Sequence, residues 1–254
     1  MRKGDEWKTA FRTHYRLFEF QVMSFGVTNA PSTLQDMMNH IFSDMLDVGM
    51  LAYMDNILIY AKTEEEHDDL VREVLRRLQK NRLAIALEKG ICKTQVVEFL
   101  GYVIGRNRIK MSGEKVEVVL SWKTPSSLTE VQAFLGFTNF YRRFIQDYSR
   151  IAQLLTELTK KSETWTWNPK AEVAFKELKE QFTTAPVLAH CDPTRPVIIK
   201  TDALDFIIGA VLSQRDEENR LHLMAFHSRK VQPTEINYEI HNKELLVVVD
   251  TFKH

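Results

Sequence analysis

The stretch Leu51-Ala-Tyr-Met-Asp-Asn-Ile-Leu-Ile-Tyr60 sets two short apolar runs around the polar pair Asp55-Asn56. Asn and Asp tolerate positive φ, so this pair between apolar runs predicts a tight β-hairpin turn. A carboxylate at the tip of such a hairpin, with strand behind it and a cleft in front, stands where a metal ligand must stand. An ordinary surface turn that contains an Asp fits the same ten residues. The sequence on either side has to decide.

Upstream, Trp7-Lys-Thr-Ala-Phe11 and Phe18-Glu-Phe-Gln-Val22 predict strands, entered without a preceding element, as if the chain began inside a domain. Pro31 suits the first turn of a helix after the turn-rich loop from Phe25. Leu34, Met37, Met38, Ile41, Phe42 and Met45 then recur at helical spacing, a stripe expected to pack as core. Downstream, Thr63 with Glu66 reads as a capping box. It opens a helix with Leu70, Val71, Val74, Leu75 and Leu78 on one side. Arg72, Arg76, Arg77 and Lys80 lie on the other faces, expected to be solvated. Residues 83–87 and 96–104 predict strands, the second broken by Gly101. Ser127 with Glu130 marks a second capping box, opening a helix through Val131, Phe134 and Leu135. Residues 137–144, with Arg142 and Arg143 among four aromatics, fit either a base-stacking, phosphate-pairing face or a helix with a buried aromatic side.

A polar break at 160–163 predicts a domain boundary near residue 162. Beyond it, Asn168-Pro169 caps a helix with Phe175, Leu178 and Phe182. Strands follow at 196–201, 206–214 and 221–228, then a helix from about Tyr238, within or just after which the sequence stops. Asp202 ends the first of these strands and Glu244 lies in the last helix. A strand-end carboxylate facing a helical one could hold a hard divalent cation, since Mg²⁺ favours a few carboxylates plus waters. A turn-starting Asp and a solvated Glu read the same way from spacing alone.

The 254 residues are 44% hydrophobic and 27% charged, values of a globular protein with room for one large domain or two ordinary ones. No apolar run is long enough to span a bilayer and no signal-peptide core opens the sequence. Cys92 and Cys191 are the two cysteines, which argues for a reducing intracellular compartment and against a disulfide framework or zinc site. A net charge of +0 leaves nucleic-acid binding open, to be decided by local grouping of basic residues.

In their order along the chain these motifs resemble the central part of the Pol polyprotein of gypsy-type long-terminal-repeat retrotransposons. Trp7-Lys-Thr-Ala-Phe11, Met23-Ser-Phe-Gly-Val-Thr-Asn-Ala-Pro31, Tyr53-Met-Asp-Asn56, Phe99-Leu-Gly-Tyr102, Phe134-Leu-Gly-Phe-Thr-Asn-Phe-Tyr-Arg-Arg-Phe144 and Leu154-Leu-Thr-Glu-Leu-Thr-Lys160 resemble the reverse-transcriptase part. Ala185-Pro-Val-Leu188, Thr201-Asp-Ala203, Ile208-Gly-Ala-Val-Leu-Ser-Gln214 and Tyr238-Glu-Ile-His-Asn-Lys-Glu-Leu-Leu246 resemble the RNase H part. The resemblance implies an α+β chain: a truncated palm at 1–104, a thumb or connection region at 105–161, and the front of an RNase H-like α/β domain at 162–254. It implies RNA-directed DNA synthesis and RNA-strand cleavage with Mg²⁺ or Mn²⁺, acting on an RNA template with a DNA primer, RNA/DNA hybrid and deoxynucleoside triphosphates, inside the cell. Asp55 matches the first Asp of the family's Tyr-x-Asp-Asp hairpin. Phe25, Gly26 and Tyr53 match nucleotide-side positions, Gln35 a template-side one, and Lys89 a lysine near the triphosphate. Phe99, Leu100, Gly101 and Tyr102 match the primer grip. Asp202 and Glu244 match the first two RNase H carboxylates.

The match departs where chemistry is concentrated. The family's other palm Asp belongs on a strand before Trp7, and the sequence starts after it. Asn56 stands for the second hairpin Asp, offering a neutral oxygen in place of an anionic one. The remaining RNase H acids would follow His254. Ser24 for Pro and Leu34 for Phe are milder changes. An incomplete or decayed copy is expected, catalytically poor by itself, with a non-catalytic nucleic-acid-binding remnant as the alternative.

Overall fold

The computed structural model describes residues 2–24, 26–160, 165–203 and 206–253. Contacts divide the chain into two units, Met1–Lys93 and Thr94–His254. The boundary expected near residue 162 falls outside the described residues.

The first unit is built on helix α1 (Ala30–Ile41), with Pro31 in its first turn, where a missing N–H loses no bond. The methionine stripe closes into a core of Met38, Phe42, Met45 and Met50 against Val74 and Leu78 of α2 (Glu64–Lys80). Thr63 caps α2 by accepting the Glu66 N–H at 3.2 Å. Three acids in the first turn of α2 and two bases in its last complement the helix dipole. Arg72 and Arg76 are exposed as expected, but Arg77 turns inward. It donates to the Ile41 carbonyl at 3.0 Å, to Asp44 at 2.8 Å and to Glu73 at 2.6 Å, tying α2 to the end of α1. Strands β3 (Met50–Tyr53) and β4 (Asn56–Ile59) form the expected antiparallel hairpin.

Three expectations fail for want of a buried face. Trp7 lies in a 3-10 turn (Glu6–Thr9), and only β1 (Phe11–Arg12) pairs with β2 (Leu17–Phe18), every side chain exposed. Residues 83–87 form no strand; a 3-10 turn follows at Leu87–Lys89, with Ile85 and Leu87 exposed. A strand without a partner or a dry face has nothing to hold it.

The second unit opens with a meander of β5 (Val96–Phe99), β6 (Tyr102–Gly105) and β7 (Arg108–Met111). The single broken strand expected at 96–104 is thus a hairpin. Leu100 (φ 52) and Gly101 (φ 79) make a primed turn, whose twist reverses the chain. Strand β7 and helix α3 (Gly113–Ser121) were not anticipated. Helix α4 (Leu128–Phe140) starts at Ser127, which accepts the Glu130 N–H at 3.4 Å, while the Glu130 carboxylate accepts from Ser126 N–H at 2.7 Å. With α5 (Tyr148–Glu157) and α6 (Pro169–Thr183) it encloses a core that includes Phe134, Phe144, Leu155, Phe175 and Leu178.

The chain then forms an antiparallel sheet, in order β10 (Leu221–Lys230), β9 (Ile207–Arg215), β8 (Val197–Ala203). Helix α7 (Ile240–Thr251) packs on β8 and β9, and α5 packs on β10. They take opposite faces: Ser228 of β10 bonds Ser149 of α5, and its neighbours His227 and Arg229 bond Asp250 of α7. Residues 188 and 189 strap the two sheets together. Leu188 exchanges backbone bonds with Ile109 at 2.7 and 2.9 Å, and the Ala189 N–H donates to the Leu223 carbonyl at 2.7 Å.

Hydrogen bonds from Arg77 hold the Asp44 carboxyl down to about 2, and those from Arg76 and Arg77 hold Glu73 to about 2. Both values are depressed, so this pairing adds stability above the ordinary carboxylate range that is lost as pH falls toward about 2. Denaturant titrations between about pH 6 and about pH 2.5 should show stability falling with acid, and Arg77→Met should make that fall shallower.

Candidate functional site

The hairpin tip differs from its expected form by one residue. Register pairs Tyr53 with Asn56, so the two-residue loop is Met54-Asp55 and Asn56 is the first residue of β4. The reason is burial. Met50, Ala52, Ile57 and Ile59 face the core together, and a one-residue slip would turn that set to solvent. Positive φ therefore falls on Met54 (φ 53), not on the Asp-Asn pair. A left-handed Met costs about 1–2 kcal/mol. Gln35 of α1 offsets it: its Oε1 accepts the Met54 N–H at 2.7 Å and its Nε2 donates to the Ala52 carbonyl at 3.1 Å. Asn39 accepts a further bond from Gln35 at 2.8 Å. Asp55 is left exposed at a turn braced from behind, with Tyr53 and Asn56 exposed beside it.

Phe25 lies outside the described residues. Gly26 has φ 88 and open space around it, so the backbone angle and not crowding calls for glycine. Lys89 is exposed in its 3-10 turn.

In the second unit, Phe99 and Tyr102 pair across the Leu100-Gly101 turn. Gly101 is required twice over: φ is 79, and a Cβ would collide with the Tyr141 hydroxyl. Burial pushes the Tyr141 hydroxyl up to about 12 and raises Tyr102. Tyr102 stacks on half-exposed Phe140 at 5.3 Å and donates to its carbonyl at 3.2 Å. Arg143 is exposed near this stack. Arg142 is not part of any open basic face. It lies over the Tyr148 ring at 5.7 Å and donates to the Ser228 carbonyl, because the chain leaves α-helical geometry after Phe140 and turns it toward the sheet.

Asp202 and Glu244 come to the same cleft, of about 470 Å³, which they line with Thr201, Ala203, His241, Leu245 and Val248. Asp202 pairs with Gly209 near the end of β8; Glu244 stands in the second turn of α7, and both are exposed to water. His241 was not singled out from the sequence. Its signal was there: three residues before Glu244, it lies on the same helix face. Two hydrated carboxylates fit a single Mg²⁺ that keeps most of its waters. Among the described residues no group of three or more His, Cys, Asp or Glu is arranged to hold a metal ion. At the hairpin, Asp55 beside Asn56 does not fit a two-ion centre.

Residues 1–104 match the family described as reverse transcriptase (RNA-dependent DNA polymerase), and residues 167–254 match the RNase H-like domain found in reverse transcriptase. The whole chain is 35% identical to the Tf2-7 and Tf2-3 transposon polyproteins of Schizosaccharomyces pombe, and spans 19% of each. Its fold is similar to that of the foamy viral protease-reverse transcriptase solved with RNA/DNA hybrid and with dsDNA. The TM-score is 0.79 in both cases, at 21% identity, over 99% of this chain and 34% and 52% of those chains.

Gln35→Leu should remove the brace and lower thermal stability by about 1–2 kcal/mol, with hydrogen exchange rising first at the Met54 amide. Gly101→Ala should destabilise the second unit by about 1–3 kcal/mol, read as a shifted denaturant midpoint with the first unit unaffected.

Proposed function

Taking as premise that the chain belongs to the reverse transcriptases of retrotransposon polyproteins, we propose that it takes the nucleic-acid-binding part in RNA-directed DNA synthesis and RNA-strand cleavage inside the cell and does not polymerise by itself. In this reading the braced hairpin and the Phe99–Tyr102 turn each face a primer–template duplex, and the Asp202–Glu244 cleft faces the RNA strand of a hybrid. These families generally use divalent metal ions.

The observation that carries the reading is the hairpin itself: a strained Met54 held by Gln35, with an exposed carboxylate next in the chain. Strain stored behind a presented side chain is a mark of function. Asp55 is the residue that would contact a metal ion there, and Tyr53 with Gly26 would shape the nucleotide side. The Leu100-Gly101 turn would lie along a primer strand, and Tyr102 with Phe140 offers an aromatic surface beside it. In the second unit, Asp202 and Glu244 would hold Mg²⁺ or Mn²⁺. Such an ion, when bound, supplies charge stabilisation at a phosphodiester oxygen.

Nucleotidyl transfer by two metals needs ions about 4 Å apart, bridged by several carboxylates. The hairpin offers Asp55 and a neutral Asn56. The 254-residue polypeptide is therefore expected to bind primer–template with a steep loss of affinity in salt, and not to extend it. Purified 1–254, given an RNA template, a DNA primer, deoxynucleoside triphosphates and Mg²⁺ or Mn²⁺, should yield no extended product. Asn56→Asp alone should not change that. Extension by either protein would overturn the reading of this polymerase site; absence of duplex binding would overturn the wider proposal.

A further inference from the structure

Glu244 can face Asp202 only where α7 puts it, and little apolar contact holds α7. Among its described residues Lys243 and Val247 are buried, while Ile240, Leu245 and Val249 are exposed. The small core beneath consists of Ile208, Ala210, Val231 and Val247. Glu239, which precedes the helix, makes no side-chain capping bond. The other end of α7 is held by charge. Asp250 Oδ2 accepts from His227 Nε2 at 2.8 Å and from Arg229 Nε at 2.9 Å. Arg229 also forks onto Glu235 at 2.8 and 3.1 Å, and Glu235 accepts the Gln232 N–H at 2.8 Å. These side chains are only 12–20% exposed. Strand β10 supplies His227 and Arg229, the turn after it Glu235, and α7 Asp250; across the ladder β9 presents uncharged Ala210 and Ile208. Breaking one partner of such a half-buried cluster leaves the others uncompensated.

We propose that Asp250 is a positioning residue. By gripping His227 and Arg229 it pins the C-terminal half of α7 to β10, and the rigid helix carries that placement about 9 Å back to Glu244. Cation binding in the Asp202–Glu244 cleft then depends on a side chain that does not line the cleft. The part about cations rests on reading that cleft as a divalent-ion site.

The test uses the full 254-residue chain in two measurements. Hydrogen exchange reads the clamp; the loss of free Mn²⁺ signal in electron paramagnetic resonance reads the cleft. Asp250→Asn should speed exchange across 240–251 by about tenfold and weaken Mn²⁺ binding by a similar factor, while β8 and β9 amides keep their protection. His227→Gln keeps an N–H donor toward Asp250 and should leave both readouts within about twofold. Glu244→Gln should abolish the component of Mn²⁺ binding that Asp250→Asn weakens, without changing exchange in α7. Unchanged α7 exchange in Asp250→Asn overturns the proposal, as does a uniform loss of protection across the sheet. A wild-type chain that binds no Mn²⁺ overturns the cation reading, and exchange alone then decides whether Asp250 positions α7.

Discussion

The β3–β4 hairpin can pair in only one register, because Met50, Ala52, Ile57 and Ile59 must all reach the same core. That requirement leaves two residues for the loop and puts a methionine in the left-handed region. Gln35 makes the strain tolerable by bonding both Ala52 and Met54 from the facing helix. A hydrophobic demand at one end of the hairpin thus determines where Asp55 stands at the other. The exposed carboxylate at the tip is placed by apolar side chains that face the core behind it.

The second unit solves a similar problem by different means. Its aromatic and aliphatic helical core is large, and a two-residue strap at Leu188 and Ala189 ties the β5–β7 meander to the β8–β10 sheet through backbone bonds. The far helix, α7, has little of this packing and relies on a charged cluster at one end. Paired charges are directional where apolar contacts are not, so such a cluster sets orientation as well as adhesion. That matters for a helix that carries one of two carboxylates lining the same cleft.

Much of this was legible beforehand. The N-caps at Thr63, Ser127 and Asn168, the α1 stripe and the three strands of the last sheet are local signals, and local physics wrote them; Glu130 reaches the Ser126 N–H instead of closing a capping box on Ser127. What was misread has a common cause. Residues 7–11, 18–22 and 83–87 have strand-like composition, but a strand forms only where another strand and a dry face receive it. Leu100-Gly101 looked like a break and is a reversal, since pairing partners cannot be seen along the chain. Arg77 and Arg142 looked like surface charge and are turned inward to satisfy carbonyls on distant segments.

The order of motifs by itself carried the family resemblance, the existence of the hairpin, and an Asp followed by an Asn near its tip, because these are properties of residue type and short-range spacing. Only the tertiary structure decided that Met54 bears the strain, that Gln35 relieves it, that Asp202 and Glu244 share a cleft with His241, and that Asp250 reaches across to His227 and Arg229. Each of those joins residues many positions apart, and such meetings are settled by which faces must be buried together.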